Sequence, residues 1–389
     1  MQRAHKIRMR PTKRQIDFFK KSVGVSRFVW NWALAEWNDW YSKGGRPSGN
    51  ELKRYFNSIK NEKFPFVTEV SKWGPERVFL NLDTAFKRFR NKTSKHPRFK
   101  KRGTRESYRV DGSVVKVHGV HITLPKVGRV RLTEPLRFEG KIVSVTISTK
   151  GGYWFVSVNM EVTDTIGRKA DTRKPSGSVG IDLGINSFAT LSNGEKTENP
   201  RIFEKFARRL RQAARQFSRK QPKSMNRDKS RLRLARVHYR MECARNDFLH
   251  KFTFSIANRF ALVYVENLNV RGMIRNKHLA RHISDLGWGE ALRQLSYKCQ
   301  TLIKRDRFFP SSQLCSNCGY QQKLSLSERV YTCPTCGLQI DRDVNAARNL
   351  HTDGLSGINA RGDGSSGRSL WTDETAVDEA GTTVRNQSY

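Results

Sequence analysis

The sequence has no run of 18 or more apolar residues, and its N-terminus lacks the basic–apolar–small pattern of a secretory leader. The first absence argues against a membrane-spanning helix and the second against export. Acidic residues are scarce: 35 Asp+Glu stand against 74 Lys+Arg, a formal charge of +39. Soluble small domains usually carry a net charge of about 2–8, so a surface with a modest basic excess does not account for this load. A bound polyanion does. An anionic membrane fits less well, because the basic residues are spread along the chain and form no single amphipathic anchor. The expected location is the cytoplasm, in association with the nucleoid. Cysteine is limited to six residues. In a chain without a leader, that number excludes a disulfide scaffold and turns attention to metal binding.

What is present suggests several domains, since 389 residues are too many for one ordinary core. With 37% apolar and 10% aromatic residues, the chain can bury real cores. Residues 2–10 read as a short basic strand. A helix is expected after Pro11-Thr12, with Gly24 as a break, and a second from Phe28 carrying Trp30, Leu34, Trp37 and Tyr41 as a bundle core. Helices over 51–61 and from Pro75, the latter with Val78, Leu82, Ala85, Phe86 and Phe89, complete a helical domain over 11–94. The run His96-Pro97-Arg98-Phe99-Lys100-Lys101-Arg102 is either a solvated linker or, as its setting favours, a phosphate contact through Arg98, Lys100, Lys101 and Arg102.

Residues 105–163 alternate as strands do, with a hairpin at Gly151-Gly152. Together with the N-terminal strand they are expected to form a β-barrel or curled sheet. Asp164–Gly177 reads as a linker. A strand within Val179–Leu191 follows, then a turn at Asn193-Gly194. Two basic helices come next, near 201–219 and 228–259; the second has Leu234, Val237, Met241, Ala244, Phe248 and Phe252 on one stripe. After them come a strand at Ala261–Val265, a helix near 288–299 and a strand near 301–305. Cys243 and Cys299 are expected to be buried thiols. Beyond 353 the chain is Gly/Ser-rich, with six acids against three arginines, and reads as a disordered tail.

Cys315-x2-Cys318 and Cys333-x2-Cys336 are paired knuckles, and four thiolates complete a closed tetrahedral shell. The expected ion is structural Zn²⁺, ahead of an iron–sulfur cluster. Three acids stand out because each ends an apolar run or opens a helix: Asp182 in Val-Gly-Ile-Asp, Glu266 in Val-Tyr-Val-Glu, and Asp343 in Asp-Arg-Asp-Val-Asn-Ala-Ala. Singly, each reads as a turn former, an ion-pair partner or a helix cap. Together they are the hard oxygen ligands that two Mg²⁺ ions need for phosphodiester hydrolysis. Spacing alone does not bring them to one point.

The segments VGIDLGINSFATLSNG, YVENLNVRGM, DLGWGEALRQLSYK, DRFFPSSQLCSNCG and CPTCGLQIDRDVNAARNL resemble those of TnpB. This is the OrfB-type protein of insertion sequences and a relative of small type V CRISPR effectors. PTKRQIDFFKKSVGVSRFVWNWAL and HPRFKK are similar to that family too, so the resemblance reaches to about residue 367. It implies a multi-domain α+β and α/β chain: a wedge β-barrel (1–10 and 95–163) holding a helical recognition domain (11–94), then, after the 164–177 linker, a RuvC-like, RNase H-fold nuclease domain (178–312 and 339–352). A Cys₄ zinc ribbon (313–338) splits the nuclease domain. It also implies Mg²⁺-dependent cutting of double-stranded DNA by Asp182, Glu266 and Asp343. The partners implied are a transposon-end guide RNA and target DNA beside a short adjacent motif. A heteroduplex of about 20 base pairs carries roughly 40 phosphates, a match for the charge of the chain. Asp343 is preferred to Asp341 because it occupies the Asp-x-Asn-Ala-Ala position. Two alternatives stay open, an RNA-guided repressor or transposition accessory that does not cut, and a transposase that joins strands. The Cys299–Arg305 segment is shorter than the usual family connection, so its strand is expected to be weak.

Overall fold

The computed structural model describes residues 2–103, 106–162, 175–325 and 327–359, the last eight by backbone alone. They form a mixed α/β chain of two compact units, one of Met1–Lys174 with Arg201–Leu249, the other of Pro175–Pro200 with residues from His250 onward. The 164–174 part of the expected linker lies outside the described residues. So does the tail from 360, while the last helix runs on to Asn359, past the expected start of that tail at 353.

The first unit opens with β1 (Gln2–Arg10), α1 (Lys13–Ser42), α2 (Gly49–Lys63) and α3 (Trp73–Arg90). Thr12 and Ser48 cap α1 and α2 through reciprocal bonds with Gln15 and Glu51. Gly24 does not break α1. Phe19 and Val23 on one side of it join the sheet core, and Val25 and Val29 on the other join the helical core. Packing on both sides outweighs the roughly 1 kcal/mol a glycine costs inside a helix. Trp30, Leu34 and Trp37 are buried as expected, and Trp37 stacks on Phe86 at 4.2 Å. Tyr41 is exposed, as is Phe89.

Then come β2 (Ser107–Asp111), β3 (Lys116–His118), β4 (His121–Leu124), β5 (Gly128–Leu132), β6 (Lys141–Lys150) and β7 (Tyr153–Glu161). Gly151 and Gly152, both at positive φ, turn β6 into β7. The strands pair in the order β2-β6-β7-β1-β5-β4-β3. No β2–β3 pairing closes this sheet among the described residues. Seven flat strands would nevertheless hold their edges about 29 Å apart, and β2 and β3 are joined by four residues that span at most about 18 Å. The sheet therefore curls strongly. After α4 (Ile202–Ser218), α5 (Met225–Arg259) lies on this hairpin: Tyr239 packs against Tyr153 and Phe155. Contacts thus group 201–249 with the first unit, whereas the sequence reading assigned them to the nuclease domain. Cys243 on α5 is exposed, contrary to expectation.

The second unit is built on β8 (Ser178–Asp182), β9 (Ser187–Leu191), β10 (Lys196–Glu198), β11 (Leu262–Glu266) and β12 (Thr301–Arg305), in the order β10-β9-β8-β11-β12. β8, β11 and β12 run parallel, and β9 and β10 alternate. The short 299–305 segment leaves β12 intact, with five residues in register on β11. The two-turn-or-less helices α6 (Val270–Met273) and α7 (Ala280–Leu286) were not foreseen; α8 (Trp288–Lys298) was. The hairpin β13 (Val330–Thr332) and β14 (Gln339–Asp341) leads into α9 (Arg342–Asn359). Cys299 is buried, which pushes its thiol up to about 11. Among the described residues no helix is long and apolar enough to cross a membrane.

Candidate functional site

Parallel register decides where two of the acids lie. Val265 pairs with Ile181, so the next residues, Glu266 and Asp182, leave the adjacent strand ends together. Val179, Ile181, Val263 and Val265 are fully buried and hold both strands in the sheet interior. Asp182 and Glu266 share a face with Gly180 and Tyr264, and α9 covers that face: Tyr264 meets His351 edge-on at 5.9 Å. A methyl group on Gly180 would overlap the Ala347 carbonyl oxygen of α9. Glycine at 180 is therefore what lets the helix sit directly on β8.

The start of α9 brings the third acid. Asp341 is its cap: Oδ1 accepts from the Asp343 and Val344 backbone amides at 3.0 and 3.1 Å, and Oδ2 takes Lys196 Nζ at 2.6 Å. Asp341 is occupied in this way, and Asp343 lies in the first turn of α9, the helix that packs on β8. Burial, then the charges of Asp343 and Glu266, push Asp182 up to about 7, while Arg342 works the other way. Burial also raises Glu266. A carboxyl raised first by burial and then by neighbouring acids is costly to ionise without a nearby cation. Asp343 and Glu266 are thus near enough for their charges to act on Asp182, but among the described residues only the four cysteines, whose ligand atoms lie within 4.8 Å of one another, form a group that could hold one metal ion. Lys196, Arg342 and Gly180 were missed from sequence; only Gly180 gave a signal, as a glycine inside a strand.

Two matching knuckles carry the cysteines. Gly319 and Gly337, both at positive φ, donate to the Cys315 and Cys333 carbonyls at 3.0 Å. Sulfur separations of 3.6 Å (Cys315–Cys336) and 3.5 Å (Cys318–Cys333) come close to the roughly 3.8 Å edge of a tetrahedron with 2.3 Å Zn–S bonds. A bond from the Asn317 side chain, then one from the Leu338 backbone, pulls Cys336 down to about 6, which favours the thiolate a metal needs. The residues fit zinc. The knuckle is also tied to α9: Asn345 bonds Ser316 N and Leu314 O, and Asn349 bonds Ser311 O and Leu314 O. Both asparagines are buried.

The basic strap at 98–102 is pinned to α1. Trp30 Nε1 donates to the Arg98 carbonyl, and Asn31 bonds the Lys100 backbone in both directions. Arg98, Lys101 and Arg102 are exposed. The Lys100 ammonium lies 4.0 Å from the Trp30 ring centroid, and burial lowers its pKa. Lys100 is an exposed residue like its neighbours, with its ammonium laid over a ring of the helical core.

Residues 156–277 match a family described as probable transposase, residues 288–350 a Cas12f1-like TNB domain, and residues 1–46 a helix-turn-helix domain. Here the described residues of that stretch form β1 and the single helix α1, which ends at Ser42. A Streptomyces pristinaespiralis protein, named as a candidate RNA-guided DNA endonuclease, is 39% identical, with 94% of this chain and 92% of its own length covered. The similarly named InsQ of Escherichia coli K12 is 31% identical, with 97% and 98% covered. Among solved structures, a Cas12f1–sgRNA–target DNA complex shares the fold at a TM-score of 0.52 and 14% identity, with 86% of this chain and 82% of that one covered.

Proposed function

Because the chain belongs to the TnpB family of insertion-sequence RNA-guided DNA endonucleases, we propose that it cuts double-stranded DNA beside a short adjacent motif, directed by an RNA from the transposon end. The observation that carries this reading is the parallel register that leaves Asp182 and Glu266 together at adjacent strand ends, with the charge of Asp343 near enough to raise Asp182. On the same reading the curled sheet with α1–α3 is a wedge barrel with its recognition helices. The five-stranded sheet with α9 is a RuvC-like nuclease split by a zinc ribbon.

Asp182, Glu266 and Asp343 would hold catalytic Mg²⁺, which when bound neutralises the scissile phosphate and lowers the pKa of a water for in-line attack. Asp182 would hold the ion as a carboxylate, since a divalent charge would outweigh its two acidic neighbours. Asp341 and Lys196 keep the first turn of α9, and so Asp343, in place. The basic surface takes up phosphates, and base pairing with the guide chooses the sequence.

The test is reconstitution. The protein assembled on its native transposon-end transcript should cut matched DNA in Mg²⁺ from a library randomised at the adjacent positions, and Asp182→Ala should not. No cutting by the wild type anywhere in that library would refute the proposal.

A further inference from the structure

β12 is parallel to β11, and Arg305 at its end pairs with Glu266. The chain that leaves β12 therefore starts at the same end of the sheet as the acids. It is Asp306-Arg307-Phe308-Phe309-Pro310, and its two rings have different fates. Phe309 packs with the Arg305 guanidinium 5.6 Å from its centroid. Phe308 is 85% exposed, and among the described residues no other large apolar side chain is more so.

The exposure is built in. Asp306 accepts from the Phe308 backbone amide at 2.8 Å, Phe309 N donates to the Asp306 carbonyl, and Ser311 N to that of Phe309. Asn349 of α9 then holds Ser311 O at 2.8 Å. The turn is thus fastened at one end to β12 and at the other to the helix that carries Asp343. Three residues span at most about 11 Å and neighbouring strands lie about 4.8 Å apart, so the ring stands within a few nucleotides of the acids. The Asp306 carboxylate is engaged within the turn, and its charged sequence neighbours, Lys304, Arg305 and Arg307, are all positive.

We propose that Phe308 is a stacking platform for a base of the single DNA strand fed to the acids. The inference rests on the nuclease reading above. A fixed, outward ring among cations suits single-stranded nucleic acid: every base has a face to stack, and every phosphate meets positive charge. An apolar protein partner would want neighbouring apolar surface, and Arg307 and Lys304, both exposed, offer charge instead.

The experiment uses the full chain as Asp182→Ala, which keeps the strand uncut, and a single-stranded oligodeoxynucleotide carrying 5-iododeoxyuridine. Ultraviolet crosslinking should recover the peptide containing Phe308. Phe308→Ala should abolish that crosslink and weaken affinity for the oligonucleotide roughly tenfold, the scale of one stacked base. Phe308→Trp should restore affinity, and Phe308→Leu should not. Unchanged affinity in Phe308→Ala, or crosslinks only elsewhere, would overturn the proposal. So would a loss of self-association in Phe308→Ala with strand affinity intact, which would assign the ring to a contact between copies. Neither readout requires cutting. A wild-type protein that crosslinks through Phe308 but cleaves no DNA therefore supports the platform while removing the nuclease reading.

Discussion

At the scale of single residues, the site exchanges stability for reactivity. Asp182 sits near 7 in the folded chain against 3.8 ordinarily. A carboxyl raised by folding stabilises the fold while it keeps its proton. That contribution is complete below about pH 4 and is lost as pH rises through 7. Metal-free protein should therefore lose stability between pH 4 and 7, by up to about 4 kcal/mol at 1.36 per unit. Asp182→Asn should flatten that profile and raise the metal-free Tm at pH 8 by several degrees, while cleavage falls by about three orders of magnitude or more. Calorimetry across pH, with a cleavage assay beside it, checks both; a wild-type profile as flat as that of the variant would contradict the assignment. Asp341→Ala removes a helix cap and the ion pair to Lys196 together. We expect a loss of roughly 1–2 kcal/mol in stability and a higher Mg²⁺ requirement for half-maximal cutting, with the Mg²⁺-induced rise in Tm reduced. Asp182 and Glu266 stood out as candidates because a charge closing an apolar strand is costly, but their joint role came from the family resemblance. The choice of Asp343 over Asp341 needed the family resemblance. Lys196 carried no signal, since its partner is 145 residues away.

At the scale of elements, α9 is where the parts join. Gly180→Ala places a methyl against the Ala347 carbonyl and should push the helix off β8. The expected result is cleavage reduced at least about tenfold with every acid intact, and a cost of about 1–3 kcal/mol from overpacking; wild-type rates in this variant would show that the close approach is dispensable. Cys333→Ser should remove the zinc, measured by metal analysis, and loosen α9 through Asn345 and Asn349, read as faster amide exchange over 343–350. Wild-type protein without zinc would overturn the ribbon assignment. Strands and long helices were readable from periodicity. The continuity of α1 through Gly24 was not, because it depends on two cores packing against one helix. Nor were α6 and α7, which are too short to show a period and rest on tertiary contacts.

For the whole molecule, +39 is the dominant fact. Nucleic acid should bind with a steep salt dependence: with six to ten phosphate contacts, affinity should fall about 10³–10⁵-fold between 50 and 200 mM salt. A titration of the transposon-end RNA measures the slope, and a flat response would remove the polyanion reading. Charge gave the partner class directly, whereas the curl of the first sheet needed its strand order. Two of the four sulfurs, those of Cys318 and Cys336, belong to exposed residues, while the asparagines that depend on their knuckle are buried. Oxidants can thus reach the ribbon without reaching the acids. A chain stripped of its ion by peroxide would keep its basic surface while α9 loses the knuckle that its buried asparagines hold.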